Sequence, residues 1–377
     1  MGVLDDIESE LTTDVSKLVE AIDRVGIQNV SLLSRMTGMP TETVRYTMRK
    51  RFPNMGLEIR TPLNHSALGL ERYFVSMRLT EAAERSESAI LKGLSSNAFL
   101  TYSCKAAVER RHLAFFSVPV SVADEFRGFL KTLVREDVLV DYNAERLEWS
   151  RHPELKSRYY NFATGGWSID WDKAMRHGGT PPAPARDEEP SASPDIDVID
   201  TLIIKELELD SWRNVAEIAR KLRLNERTVR WHYLKHVADI ALSSHVNWAS
   251  VTPNELKEAA GLIHEFNGVS KETLAKLRHL FNNFPFSWFE GGRRDGYYQV
   301  HSALPAGYFI ESLRFLNASL GEIVESWKTW TTDLSTARSY TIPHENFDSK
   351  KGWFFNRGAA LEAVLPQKMK MRQQVHS

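Results

Sequence analysis

A constant offset organises this chain. Asn29-Val30-Ser31-Leu32-Leu33-Ser34-Arg35 returns as Asn214-Val215-Ala216-Glu217-Ile218-Ala219-Arg220, and Thr43-Val44-Arg45-Tyr46 returns as Thr228-Val229-Arg230-Trp231. Every pair stands 185 positions apart. A period this long duplicates whole domains, because solenoid repeats run to roughly 20–50 residues. Downstream the correspondence loosens: Phe126, Leu130 and Leu133 match Phe309, Leu313 and Leu316. Each half then closes with a proline, an aromatic stretch and Gly-Trp: Pro153 with Gly166-Trp167, and Pro343 with Gly352-Trp353. Between the halves, 173–194 is rich in Pro, Gly, Ser and charge without apolar periodicity, the composition of a linker.

Three helices open each half. In the second, Asp195 and Asp197 precede an apolar stripe of Ile199, Leu202, Ile203 and Leu207. Val215, Ile218, Ala219 and Leu222 mark a short second helix. Arg223-Leu224-Asn225 makes a turn, and Asn225 can cap a third helix whose inner face carries Val229. In the first half Pro40 takes the place of Asn225, its fixed φ suiting a helix start, and Pro53 is expected to end the helix. A tight turn between second and third helices is the helix-turn-helix pattern.

The outer face of each third helix is basic. The first offers Thr41, Thr43, Arg45, Tyr46, Arg49, Lys50 and Arg51; the second offers Asn225 at its cap, then Arg227, Thr228, Arg230, Trp231 and Lys235. From 211 to 237 seven basic residues face two acidic ones, although the whole chain has a net charge of only -1. Positive charge is thus concentrated where phosphates would be met, and arginine can read guanine edges. A solvated surface would show the same charges, and Tyr46 and Trp231 could pack beneath the helix instead.

The rest of each half alternates strands and helices. Strands are expected at 73–79, 99–105, 111–118 and 138–142, with helices at 86–94 and 124–134, giving β-α-β-β-α-β. In the second half a helix capped by Ser270 is followed by strands 286–289 and 297–301, a helix through Phe309 and Leu320, and a last strand at 323–330. Its first strand is obscure, because 253–264 reads partly helical, with Leu262-Ile263 the only short strand candidate. The fold class is therefore α+β: two repeats, each a three-helix helix-turn-helix domain followed by a ferredoxin-like domain. The boundaries are 1–62, 63–172, 195–245 and 246–360, with 361–377 a tail.

This plan resembles the leucine-responsive (Lrp/AsnC, feast/famine) transcription regulators. The matching residues are 199–204, Ala219-Arg220-Lys221-Leu222, Thr228-Val229-Arg230, Leu68-Gly69-Leu70, Gly292-Arg293-Arg294-Asp295 and Leu320-Gly321-Glu322-Ile323. The resemblance implies a non-enzymatic regulator that binds double-stranded DNA with its third helices and dimerises through its sheets. It further implies a small-molecule effector near Gly292 and Asp295. The first half has Ala107-Val108-Glu109-Arg110 at the effector turn, which departs from Gly-x-x-Asp. Two unlike recognition helices imply an asymmetric operator.

Other function classes are thinly supported. No P-loop, G-x-S-x-G, H-E-x-x-H or Rossmann fingerprint occurs. The single Cys104 excludes an internal disulfide and a cysteine zinc cluster. His232 and His236 stand one helical turn apart without an evident third ligand, and are expected on the surface; no metal or cofactor is expected. The acidic start lacks a secretory pattern and no apolar run reaches the roughly 18–20 residues of a membrane span, so a cytoplasmic chain is expected. Two alternatives to the regulator share the plan. One is a protein-binding scaffold; the other is an enzyme resembling the siroheme decarboxylases, whose tetrapyrrole cleft would be lined by His301, His112 and the arginines near Arg293.

Overall fold

The computed structural model describes residues 2–27, 29–55, 57–153, 156–162, 166–171, 195–241, 245–247 and 259–365, with backbone alone at 2–13 and 245–247. The chain is α+β and its described ladders are antiparallel. It forms two compact units, each assembled from interleaved segments. Unit one takes Met1–Pro62, Trp149–Arg186 and Leu242–Trp330; unit two takes Leu63–Glu148, Asp187–Ala241 and Thr331–Ser377. The expected linker, 173–194, lies outside the described residues, as does 366–377 of the tail.

Local signals set the helix limits. Asp197 and Asp200 form a reciprocal capping box at the start of Val198–Leu209, and Asn214 with Glu217 forms one at Val215–Leu222. Left-handed residues end the second helix of each half, Gly38 at φ 77° and Arg223 at φ 58°. The third helices, Thr41–Tyr46 and Glu226–His232, then widen into π turns at Thr47–Arg51 and Tyr233–Val237. The helical run of the first half goes on through Phe52–Asn54 and stops one residue past Pro53.

In unit two the sheet runs Leu139–Leu147, Leu70–Leu79, His112–Pro119, Leu100–Ala106, in that spatial order. Thr332 and Asp333 pair onto its last strand. Tyr73, Val75, Met77, Ala114 and Phe116 meet the helices Glu87–Asn97 and Ala123–Arg135 in one core, which Ile203, Ile204 and Leu207 from the second three-helix segment also join. Unit one has the order Ala259–Phe266, Tyr298–Pro305, Ser287–Gly292, Trp149–Arg151. Leu262, Phe266, Tyr298 and Val300 pack against Lys271–Asn283 and Phe309–Gly321.

The Gly-Trp segments explain the interleaving. Each forms a two-stranded hairpin, Tyr160–Asn161 with Gly166–Trp167 and Phe347–Asp348 with Gly352–Trp353. Each packs on the sheet of the other half. Trp167, which follows the first sheet in sequence, meets Phe286 at 4.8 Å. Trp353, which follows the second, lies 6.2 Å from Phe99 and donates Nε1–H to the Leu68 carbonyl at 2.8 Å. Aromatic arms bury much area for little side-chain entropy, so each can dock away from the sheet it follows in sequence.

Three expectations about strands are corrected. The first strand of the second sheet is Ala259–Phe266, hidden in the sequence because His264 and Glu265 put polar groups on both faces. The last strand is Lys328–Ser339, not 323–330; Ile323 and Val324 instead hydrogen-bond back to Leu320 at the helix end. The strand expected at 286–289 runs on through Gly291 and Gly292, and the turn that follows is closed by Gly296 at φ 92°.

Candidate functional site

Strand alternation gives the sheet of unit one a second face, turned away from its helices. Ile263 and Glu265 stand on it, directly opposite His301 and Gln299 in the ladder, and Phe289 pairs with His301 on the other side. All five are buried, Gln299 completely and Glu265 to 6% exposure. The Tyr297 hydroxyl lies 2.8 Å from Glu265 Oε2 and 2.9 Å from the Gln299 amide, and Trp330 Nε1–H donates to Glu265 Oε1. One hydroxyl carries one proton, so Tyr297 donates to the carboxylate and the amide nitrogen of Gln299 can turn to donate to Tyr297. Either amide orientation leaves one end of Gln299 without a partner among the described residues.

Aromatic rings flank this cluster. The His301 ring is 5.0 Å from Phe289 and 5.3 Å from Trp288, edge-on to both, and His152 stacks on Trp288 at 6.3 Å. At the cluster's other end Arg293 lies over the Tyr297 ring at 5.0 Å and pairs with Asp295 at 3.0 Å. Asp295 also accepts the Tyr297 backbone N–H at 3.3 Å, and its carboxyl is held below the usual range chiefly by Arg293. Gly292 permits this turn: a Cβ there would stand 2.5 Å from the Tyr297 carbonyl oxygen and 3.0 Å from Trp149. The sequence-read effector residues Gly292 and Asp295 thus hold the turn that positions Tyr297 and Arg293.

The helix-facing side of the same sheet has a separate charged pin. Glu290, 1% exposed on its side chain, takes Arg151 from the edge strand, Arg278 Nε at 3.4 Å and the Tyr298 hydroxyl at 2.6 Å. Burial and Glu290 push the Tyr298 phenol well above its usual range. His264, also on that side, bonds Thr329 Oγ1 through Nδ1 at 2.8 Å, and burial pushes it down to about 4. Of the other residues read for a tetrapyrrole cleft, His112 is in unit two, buried, with Glu87 4.0 Å from its Nε2.

Of the residues read as DNA contacts, two arginines pair with an acidic neighbour about one turn away on their own helix. Arg45 is held by Glu42, and Arg230 by Glu226 at 2.6 Å. Thr41, Thr43, Arg49, Lys50 and Arg51 lie on the first third-helix segment, with Arg51 5.6 Å above the Tyr46 ring. On the second, Asn225 caps through Arg227 N–H at 2.8 Å, with Thr228 and Lys235 farther along. Tyr46 and Trp231 are exposed at 57% and 55%, rather than packed beneath, while Val44 and Val229 are fully buried.

His232 is not a surface residue, contrary to expectation. It is 7% exposed, and its Nδ1 is 2.9 Å from Asp200 Oδ1. Asp197, Asp200 and His232 offer ligand atoms within 4.8 Å of one another, spacing that could hold a cation. Those atoms are already engaged: Asp197 caps Ile199 and Asp200, and Asp200 accepts from the Asp197 N–H at 2.8 Å. The trio therefore clamps the third helix to the first.

No family model matches the chain, and no curated protein does. Solved structures do. That of the siroheme decarboxylase NirDL matches with a TM-score of 0.50 and 10% identity, over 96% of this chain and 99% of that one. The same enzyme in complex with an iron-uroporphyrin III analogue matches at 0.48 and 10%, over 93% and 98%. An anthrone oxidase-like protein matches at 0.35 and 8%, over 76% and 98%. The first match shows a shared fold along the full length. It corrects the expectation of a non-enzymatic, DNA-binding regulator with an operator as partner: an enzyme has this plan, so the plan is no mark of a regulator. Among the described residues no helix is long and apolar enough to cross a membrane.

Proposed function

We propose that this chain is an enzyme acting on a carboxylated tetrapyrrole of the siroheme class, removing carboxyl groups as CO2. The observation that carries the reading is the polar cluster Glu265–Tyr297–Gln299–His301, buried on an aromatic-flanked sheet face. A face that served only for packing would be apolar, because burying a carboxylate and an unpaired amide costs free energy. A cluster of this kind marks a candidate ligand site. The shared fold with a siroheme decarboxylase supports the same reading.

The roles follow from the groups. Trp288, Phe289 and the His152 ring offer flat apolar surface to a macrocycle. Arg293, a quarter exposed beside Tyr297, suits a substrate carboxylate, for which it would exchange Asp295. When the C–C bond breaks and CO2 leaves, its electron pair stays on the side-chain carbon, which must take a proton. His301 is assigned that donation, and solvent restores its proton.

Steady-state kinetics with siroheme separate these roles. Arg293→Ala is expected to raise KM about tenfold with kcat little changed; His301→Ala is expected to lower kcat by roughly 100-fold or more. Unchanged kinetics in both variants would remove the cluster from the site.

A further inference from the structure

We infer that each chain has one tetrapyrrole-binding face, that of unit one, and that the sheet of unit two is its structural copy without the chemistry. The inference rests on the functional reading above and specifies its stoichiometry.

The two sheets can be aligned through their own ladders. In each, the third strand ends at a proline that opens a short 3-10 turn before the second helix, Pro119 and Pro305. Opposite these prolines stand Leu70 and Ala259. Counting back the same number of rungs, Glu265 opposite Gln299 corresponds to Ser76 opposite Leu113. Ile263 opposite His301 corresponds to Phe74 opposite Phe115. One rung outward, Phe289 opposite His301 corresponds to Tyr102 opposite Phe115.

The residues at matched positions differ in kind. Where unit one has carboxylate, amide and imidazole, unit two has a small hydroxyl, leucine and phenylalanine. Phe74 and Phe115 pack at 5.6 Å, Tyr102 lies 6.1 Å from Phe115, and Arg72 sits over the Phe115 ring at 4.8 Å. The position of Tyr297 is taken by Arg111, which donates to Ser76 Oγ at 2.7 Å and pairs with Asp141 at 2.6 Å. Cys104, on the same strand as Tyr102, is pushed by burial up to about 11, so it is a neutral thiol there. Among its described residues, unit two thus keeps the ladder, but rings and a leucine stand at the matched positions where unit one has imidazole and amide. The turn tells the same story: 292–295 is Gly-Arg-Arg-Asp, but 107–110 is Ala-Val-Glu-Arg.

A consequence for the reaction follows. A substrate losing more than one carboxyl group must present each in turn to the same face, turning or leaving between events.

The test is a Soret-band titration of the intact chain with iron uroporphyrin III, beside a matched pair of hydroxyl deletions, Tyr297→Phe and Ser76→Ala. One ligand per chain is expected. Tyr297→Phe is expected to weaken binding about tenfold, the size of one lost buried hydrogen bond to a charged group, while Ser76→Ala changes it less than about twofold. Should Tyr297→Phe fail to fold, His301→Gln takes its place as the unit-one variant. Two ligands per chain, or equal losses from the paired variants, would overturn the single-face inference and leave the functional reading intact. No binding by folded wild-type protein would overturn both.

Discussion

Glu265 and Glu208 illustrate two ways of burying a carboxyl group. Glu265 is met by a phenol and an indole on the candidate site's face. Glu208, in unit two, has one backbone donor, Ile342 N–H at 3.1 Å, and burial pushes it up to about 8. Below its ordinary 4.5, Glu208 is protonated in folded and unfolded chains alike. Between 4.5 and about 8 the unfolded chain ionises while the folded chain keeps its proton, so stability falls as pH rises through that window and levels off above it. Glu208→Gln keeps an acceptor for Ile342 and removes the titration. Its melting temperature is expected to match the wild type near about pH 5 and to exceed it increasingly towards about pH 8. Parallel melting curves across that range would contradict the burial of Glu208.

Elements differ in how far the sequence discloses them. The three-helix segments were legible because caps and stripes are local: Asp197, Asn214 and Asn225 all cap as their positions imply. Glu265, Tyr297 and Gln299 were not singled out. Their strand, Ala259–Phe266, carries polar residues on both faces, so neither helical nor alternating periodicity emerges, and only ladder register aligns Glu265 with Gln299. One signal was available: a charged Glu265 between Ile263 and Phe266, in a run otherwise apolar enough to be core. The Trp-rich segments were visible but unexplained, since their partners, Phe99 for Trp353 and Phe286 for Trp167, are far away in sequence. Trp353→Ala would empty a buried site and strand the Leu68 carbonyl, with an expected loss of roughly 3–5 kcal/mol in urea denaturation. A loss below about 1 kcal/mol would mean that the arm is not part of unit two's core.

At the scale of the whole molecule, the arm that follows each sheet in sequence belongs to the other compact unit. This interleaving places the 149–171 segment in unit one and the segment from Thr331 onward in unit two. A chain organised this way can hold one chemically equipped face on a duplicated scaffold. The basic third helices misled the sequence reading for a physical reason. Net charge along a segment does not distinguish a phosphate-facing helix from an ordinary solvated one, and it does not show that Arg45 and Arg230 lie beside Glu42 and Glu226 of their own helices. The most direct measurement is anaerobic incubation of the wild-type protein with siroheme, with the tetrapyrrole products resolved by mass. Catalytic loss of CO2, abolished in His301→Ala, is the outcome this account requires. Siroheme recovered intact from folded protein in excess would contradict it.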